Sequence, residues 1–451
     1  MRRHQSLSTA LAFCALAGCA EKEKPLAPEA VCEDGVYDMA DGRVMGLVPR
    51  SSGGLRYLFI TGETGAVFRE ETGLWKSAAD GSDGEAILDL GDCDDDRAAI
   101  TMADGAKLTG EKHARVITET VFDGVDGKRA GRLVLPADGK AKAIVVSVHG
   151  SERWSGRTGE RLQILLPAYG IGVFAYDKRG TGASEGKYTQ DFHILSADAA
   201  LAAKEALRLY GEDIPIGFWG GSQGGWIAPL AATKMDADFV IAAYGMAESP
   251  LAEDREEVFQ NLRAAGHGED VIASAREVTD ATGRVMASDF KTGFEELAAV
   301  KRKFKGAAWL KDAKGEFTGD FMKTPNWLIR IVGPFFDVGT SWEYDPRPTL
   351  EAISSPHLWI LAGDDTEAPH EKTLEILRDI QKTRPNLDVA LFPNTEHGIY
   401  HYVVAADGTR EVTNFAPSYY PLIRDFILNG DVTDAVAGAV VFRGEDGAAA
   451  F

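Results

Sequence analysis

The sequence is short of basic residues, of long apolar runs and of cysteine, and each shortage excludes something. Lys and Arg number 48 against 69 Asp and Glu, a formal net charge of -21. Such a chain offers no broad basic surface, so a nucleic-acid backbone is excluded as a partner. The apolar stretch Leu7–Gly18 is too short to span a bilayer as a permanent helix. Of the four cysteines, only Cys32 and Cys93 lie beyond the first 19 residues. No internal repeat is present. What the chain does have is length, 451 residues with 45% hydrophobic content. That is enough for a substantial core and more than one domain, and excludes a disordered chain.

The N-terminus has the order of a secretion signal: Arg2 and Arg3, then the apolar stretch, then Cys19 and the charged segment "AEKEKP". Leu16-Ala17-Gly18-Cys19 resembles the lipobox of bacterial lipoproteins. That resemblance implies a signal peptide over 1–18, lipidation of Cys19, a tether over 19–31 and an envelope location facing the periplasm, with absence of Asp at position 20 favouring the outer membrane. An ordinary small-residue cleavage site is the alternative. In an exported, oxidising setting Cys32 and Cys93 are candidate disulfide partners, and closing so long a loop contributes roughly 4 kcal/mol in the chain-entropy model. Two free buried thiols are the other reading.

From Cys32 to Lys112 short apolar stretches ("LRYLFIT", "GAVFRE", "EAILDL") alternate with Gly, Asp and Ser, the pattern of a small β-rich domain. Asp92 and Asp94–Asp96 read as a solvated acidic turn. From residue 113 the rhythm changes to two strands joined at Asp126-Gly127. Continuous apolar strands separated by amphipathic helices follow, from "KAIVVSVHG" to "DADFVIAAYG". That alternation indicates an α/β domain, a parallel sheet covered on both faces, over 113–245 and again over 346–435. Residues 246–345 break it with charged helical patterns and read as an inserted helical lid. The Gly- and Ala-rich residues 436–451 read as a frayed tail.

The chemistry centres on "GFWGGSQGGWIAP". An apolar strand runs into Gly220-x-Ser222-x-Gly224 and out into a helical run, the layout that holds a nucleophilic serine on a strained turn. The pentapeptide alone is common in loops, so context decides. A serine hydroxyl needs a histidine base, and the base needs a carboxylate to fix its tautomer. In this kind of sheet they follow in the order serine, acid, histidine, each after a strand. Asp364 and Asp365 follow "HLWILAG", and His397 follows "LDVALFP" in "NTEHG".

With "VHGS" at 148–151, "YDKRGTGASEG" at 176–186, "GGSQGG", "AGDDTEAP" and "NTEHG", residues 116–430 resemble the α/β-hydrolase superfamily. Within it the chain is similar to the branch of esterases, acyl-thioesterases and serine aminopeptidases. The resemblance implies Ser222 as nucleophile, His397 as base and Asp365 as acid, the last because it stands four residues before Pro369; Asp364 and then Glu367 are fallbacks. Oxyanion donors are the backbone N–H of Gln223 and, from the loop after "VVSVHG", of Ser151. Relatives often continue with glycine where this chain has "SERWSG", and Trp154 is a candidate border of the acyl pocket. The resemblance implies that Asp177 and Arg179 brace turns rather than react.

The expected activity is hydrolysis of a small-molecule carboxylic ester through an acyl-enzyme, without cofactor. A peptidase or thioesterase using the same groups is the alternative. A peptidase needs a lid carboxylate for the substrate amine, and Glu253, Asp254, Glu256 and Glu257 qualify. A catalytically silent envelope-binding lipoprotein is the rival from another class. His397 and His401 form H-x-x-x-H, but a zinc protease needs its glutamate between two helical histidines, and Gly398 disfavours helix; no metal is expected. Lys301, Arg302, Lys303, Lys305 and Lys311 read as a solvated face, with anionic headgroups as the sharper alternative. Phe335, Phe336, Trp342 and Tyr344 read as lid core, or else as walls of an acyl site.

Overall fold

The computed structural model describes residues 34–50, 53–77, 86–91, 96–102, 104–432 and 436–444. Cys19, Cys32 and Cys93, with the signal and tether, lie outside the described residues. The N-terminal region is an antiparallel barrel of β1 (Gly35–Met39), β2 (Val44–Pro49), β3 (Leu55–Phe59), β4 (Thr64–Arg69), β5 (Trp75–Ser77), β6 (Ile87–Asp89), β7 (Arg97–Thr101) and β8 (Lys107–His113). Pairing of β1 with β8, Val36 opposite His113, closes it and removes both exposed edges. Met45, Leu47, Leu55, Tyr57, Phe59, Trp75, Leu88 and Ile100 fill the interior. Exposed positions are most frequent in β4, β7 and β8, whereas β1–β3 are largely buried.

The second sheet is built from β9 (Arg115–Asp123), β10 (Lys128–Pro136), β11 (Ala143–Val148), β12 (Ile171–Tyr176), β13 (Ile216–Gly221), β14 (Phe239–Ala243), β15 (His357–Ala362) and β16 (Leu387–Phe392). A hairpin of β17 (Tyr400–Val404) and β18 (Arg410–Phe415) stands apart, and β19 (Val440–Phe442) completes the set. The sheet order is β19-β16-β15-β14-β13-β11-β12-β10-β9. β12, β11, β13, β14, β15 and β16 run parallel; β9, β10 and β19 pair antiparallel at the edges. Every residue of β11, β12, β13 and β15 is buried, because helices such as Phe192–Tyr210 and Tyr419–Asn429 cover opposite faces. β19 corrects the expected frayed tail: Val441 pairs with Ala390, and Gln381 Nε2 donates to the Phe442 carbonyl at 2.8 Å. An apolar triplet beside an open sheet edge outweighs its Gly- and Ala-rich flanks.

The barrel is joined to this sheet domain by specific bonds. Asn414 Oδ1 accepts from Thr64 N at 2.9 Å and the Gly62 carbonyl accepts from Phe415 N at 3.0 Å. Leu58 and Ile60 also pack into the apolar layer that holds Phe415, Tyr419 and Tyr420.

Residues Asp254–Asp337 form a compact unit of their own. Val258, Phe259, Leu262, Ile272, Ala275 and Ala313 make its core. Buried Asp254 accepts from the N–H groups of Phe317 and Thr318 and from the Thr318 hydroxyl, at 2.9, 3.0 and 2.6 Å. The helix Asn326–Phe336 corrects one expectation: Phe335 and Phe336 are 84% and 44% exposed rather than core. No helix among the described residues is long and apolar enough to cross a membrane.

Candidate active site

Ser222 stands where β13 turns into the helix Gly224–Ala232, with φ of 53°, a left-handed conformation that costs a non-glycine residue roughly 1–3 kcal/mol. Two of its glycines are required by close approach. A Cβ on Gly220 would lie 2.0 Å from the Gly224 carbonyl oxygen, and one on Gly224 would lie 2.1 Å from that of Val148. Ser222 N donates to the Ala243 carbonyl at 3.0 Å, which ties the turn to the end of β14.

Asp365 and His397 follow β15 and β16 and meet over the sheet end. His397 Nδ1 lies 3.0 and 3.1 Å from the two Asp365 oxygens. Asp365 is 1% exposed, and its Oδ1 also accepts from Glu367 N and Ala368 N. Asp364 is turned elsewhere, accepting from the Tyr402 hydroxyl at 2.8 Å. Glu396 anchors the histidine loop by accepting from His397 N, Thr366 and Arg410. Tyr244, with φ of 41° just after β14, packs edge-to-face with His397 at 5.1 Å between centroids. His401 Nδ1 faces the Asn394 carbonyl, so the two histidines of H-x-x-x-H turn to different partners.

Burial alone lowers the His397 pKa; the charge and hydrogen bond of Asp365, with the charges of Glu367 and Glu253, outweigh it and raise it to about 9. Nε2 faces Glu367 Oε2 at 3.7 Å, and no hydrogen bond joins it to the Ser222 hydroxyl among the described residues. Catalytic hydrogen bonds of this kind are often long until substrate binds. The structure thus brings Asp365 and His397 together and puts Ser222 on the expected turn.

Gln223 is buried at the start of its helix, where the backbone N–H groups carry the positive end of the dipole. A residue missed from the sequence organises this corner. Lys178, fully buried two residues past β12, donates to the carbonyls of His149 and Gly150 and to Gln223 Oε1, at 2.6, 2.8 and 3.0 Å. Peptide units are planar and trans, so a Gly150 carbonyl held toward Lys178 turns the Ser151 N–H the opposite way. Burial brings the Lys178 pKa down to about 7, partly offset by Glu152. Its only sequence signal is its place between Asp177 and Arg179 after an apolar strand.

The neighbouring loop residues brace. Asp177 accepts from Ser155 Oγ, Arg157 N and Ala183 N. Arg179 Nε donates to Asp198, as does Arg129 Nε, each at 3.0 Å. Trp154 lies tilted against His149, with 4.8 Å between ring centroids, and is not in the lining of the cavity beside His397. That cavity, of about 220 Å³, is bounded by Glu152, Arg161, Trp219, Tyr244, Tyr400 and Tyr420 among others.

Residues 139–265 match the model of the family described as serine aminopeptidase, S33. This match and the sheet order identify an α/β-hydrolase fold, and the chain is a hydrolase of that type. Similar solved structures include an esterase from Pyrococcus furiosus, 19% identical, covering 63% of this chain and 84% of the esterase, TM-score 0.40. A proline iminopeptidase from Mycobacterium smegmatis is 15% identical over 69% of this chain and 98% of its own, TM-score 0.41. An acylaminoacyl peptidase from Pyrococcus horikoshii is 15% identical over 92% of this chain and 58% of its own, TM-score 0.43. No curated protein matches the chain.

Proposed function

We propose that the chain is a serine hydrolase that cleaves carboxylic esters through an acyl-enzyme, lipid-anchored at Cys19 in the bacterial envelope and facing the periplasm. The observation that carries the chemistry is the buried Asp365 against His397 Nδ1 at 3.0 Å, at the same sheet end as the strained Ser222 turn. Ser222 Oγ adds to the ester carbonyl while His397 Nε2 takes its proton. Backbone N–H groups of Gln223 and Ser151 hold the oxyanion, each such donor contributing roughly 3–4 kcal/mol. His397 then returns the proton to the departing alkoxide, leaving Ser222 acylated. Water, deprotonated by the same nitrogen, releases the acid and restores the serine. Asp365 keeps the proton of His397 on Nδ1 and stabilises the imidazolium that forms.

One observation favours a peptidase as the second reading. The charge of Glu253 contributes to raising the His397 pKa, which keeps Glu253 as the candidate carboxylate for a substrate amine. Asp254 is consumed by the Phe317–Thr318 turn and Glu256 by Arg255, at 2.9 Å. Turnover of para-nitrophenyl esters from acetate to palmitate beside aminoacyl-para-nitroanilides, in residues 20–451 and in Ser222→Ala, decides between them. Ester turnover lost in the variant supports the esterase; anilide turnover alone moves the assignment to peptidases. Activity toward neither substrate that depends on Ser222 leaves the binding lipoprotein.

A further inference from the structure

The cavity beside His397 is walled by aromatic rings yet holds a guanidinium without a carboxylate partner and one indole N–H without an acceptor among the described residues. Arg161 lines it, its guanidinium carbon 5.4 Å from the centre of the Phe415 ring and flanked by Tyr400, Tyr420 and Tyr244. Among the described residues no carboxylate forms an ion pair with Arg161. The adjacent Glu160 spends one oxygen on the Ser147 hydroxyl at 2.5 Å and the other on Leu162 N at 3.1 Å. Trp219, also in the wall, has a buried indole N–H with no acceptor among the described residues.

A second guanidinium, in the barrel, is coupled to Arg161 through its charge. Arg56 of β3 makes only a long 3.4 Å bond to Thr64 Oγ1 among the described residues. Burial, then the like charges of Arg161 and Arg50, lower its pKa, while Tyr400 and Tyr420 oppose this. A guanidinium in the wall that forms no ion pair, beside an unsatisfied indole N–H, offers two donors to a ligand acceptor.

We propose that this cavity is an anion subsite, in which Arg161, supported by Arg56 from the barrel, binds a carboxylate on the substrate a few bonds from the scissile carbonyl. The inference rests on the hydrolase reading above and narrows its substrate to short esters carrying a free carboxylate, on the acyl or the alcohol side. A single guanidinium fork matches a planar carboxylate in two parallel hydrogen bonds. Glu152 and Glu160 also face the cavity, which disfavours a phosphate dianion.

The test compares kcat/KM for two matched pairs: para-nitrophenyl butyrate with mono-para-nitrophenyl glutarate, and phenyl acetate with 4-acetoxybenzoate. Wild type is expected to prefer the charged member of at least one pair by tenfold or more, as charge-assisted bonds allow. The charged-to-neutral ratio should collapse in Arg161→Met, fall in Arg56→Gln and return in part in Arg161→Lys, with melting curves verifying folded protein. No preference for charge in either pair, or a ratio unmoved by Arg161→Met, overturns the subsite and leaves the esterase standing. If wild type hydrolyses none of the four, the esterase reading fails, and calorimetry with glutarate decides the subsite separately. Binding to wild type that disappears in Arg161→Met upholds it; no binding to wild type overturns it.

Discussion

Replacing Glu367 by glutamine should speed the enzyme at neutral pH. Glu367 Oε2 lies 3.7 Å from His397 Nε2 and its side chain is 73% exposed, so the interaction is screened by water. At a dielectric near 80 a unit pair at this separation is worth about 1 kcal/mol, which is about 0.8 of a pH unit at 1.36 kcal/mol per unit. The carboxylate stabilises the imidazolium, so its loss moves the His397 pKa down, from about 9 toward about 8. Only the neutral imidazole accepts the serine proton. At pH 7 the neutral fraction then rises from about 1% to about 6%, and kcat/KM for a neutral ester rises about sixfold. Above pH 10 the two enzymes should converge. The assay is a pH profile of kcat/KM from 5.5 to 10.5 at fixed ionic strength, because salt weakens an exposed pair. A profile that stays in place, or moves to higher pH, refutes the placement of Glu367 against the base.

Three further outcomes follow from the same geometry. The folded-state pKa of His397, about 9 against 6.5, implies stability that is full below pH 6.5 and lost as pH rises through about 9. At 1.36 kcal/mol per pH unit that is about 3 kcal/mol, read as a narrowing gap in denaturant midpoints between wild type and His397→Gln over this window. Ser222→Gly, which relieves the left-handed φ of 53°, should be about 1 kcal/mol more stable than Ser222→Ala in urea melts, both without activity. Lys178→Met should lower kcat per active site at least tenfold with little change in KM, measured after active-site titration; a purely structural lysine would lower only the number of active sites.

How much of this was legible depends on how local each signal is. The strands β11–β16 announce themselves because both faces are covered, so runs such as "AIVVSV" and "HLWILA" are almost wholly apolar. The serine, acid and histidine were readable because each follows such a strand. Barrel closure was not, since the pairing of Val36 with His113 joins residues far apart in sequence through side chains no different from those of an open meander. The hairpin β17–β18 was hidden between His397 and the last helix, its Arg410 serving Glu396 rather than a periodic pattern. Lys178 escaped because its three acceptors come from two other loops. Phe335 was misread as core because apolar helical spacing does not say whether a partner covers it.

The central claim, that Ser222 is a nucleophile driven by His397 and Asp365, is tested most directly by a fluorophosphonate with mass-spectrometric mapping of the adduct. The account predicts one adduct per chain, on Ser222, with labelling slowed by orders of magnitude in His397→Ala and Asp365→Asn. An adduct on another residue, or no adduct on folded wild-type protein, would contradict it.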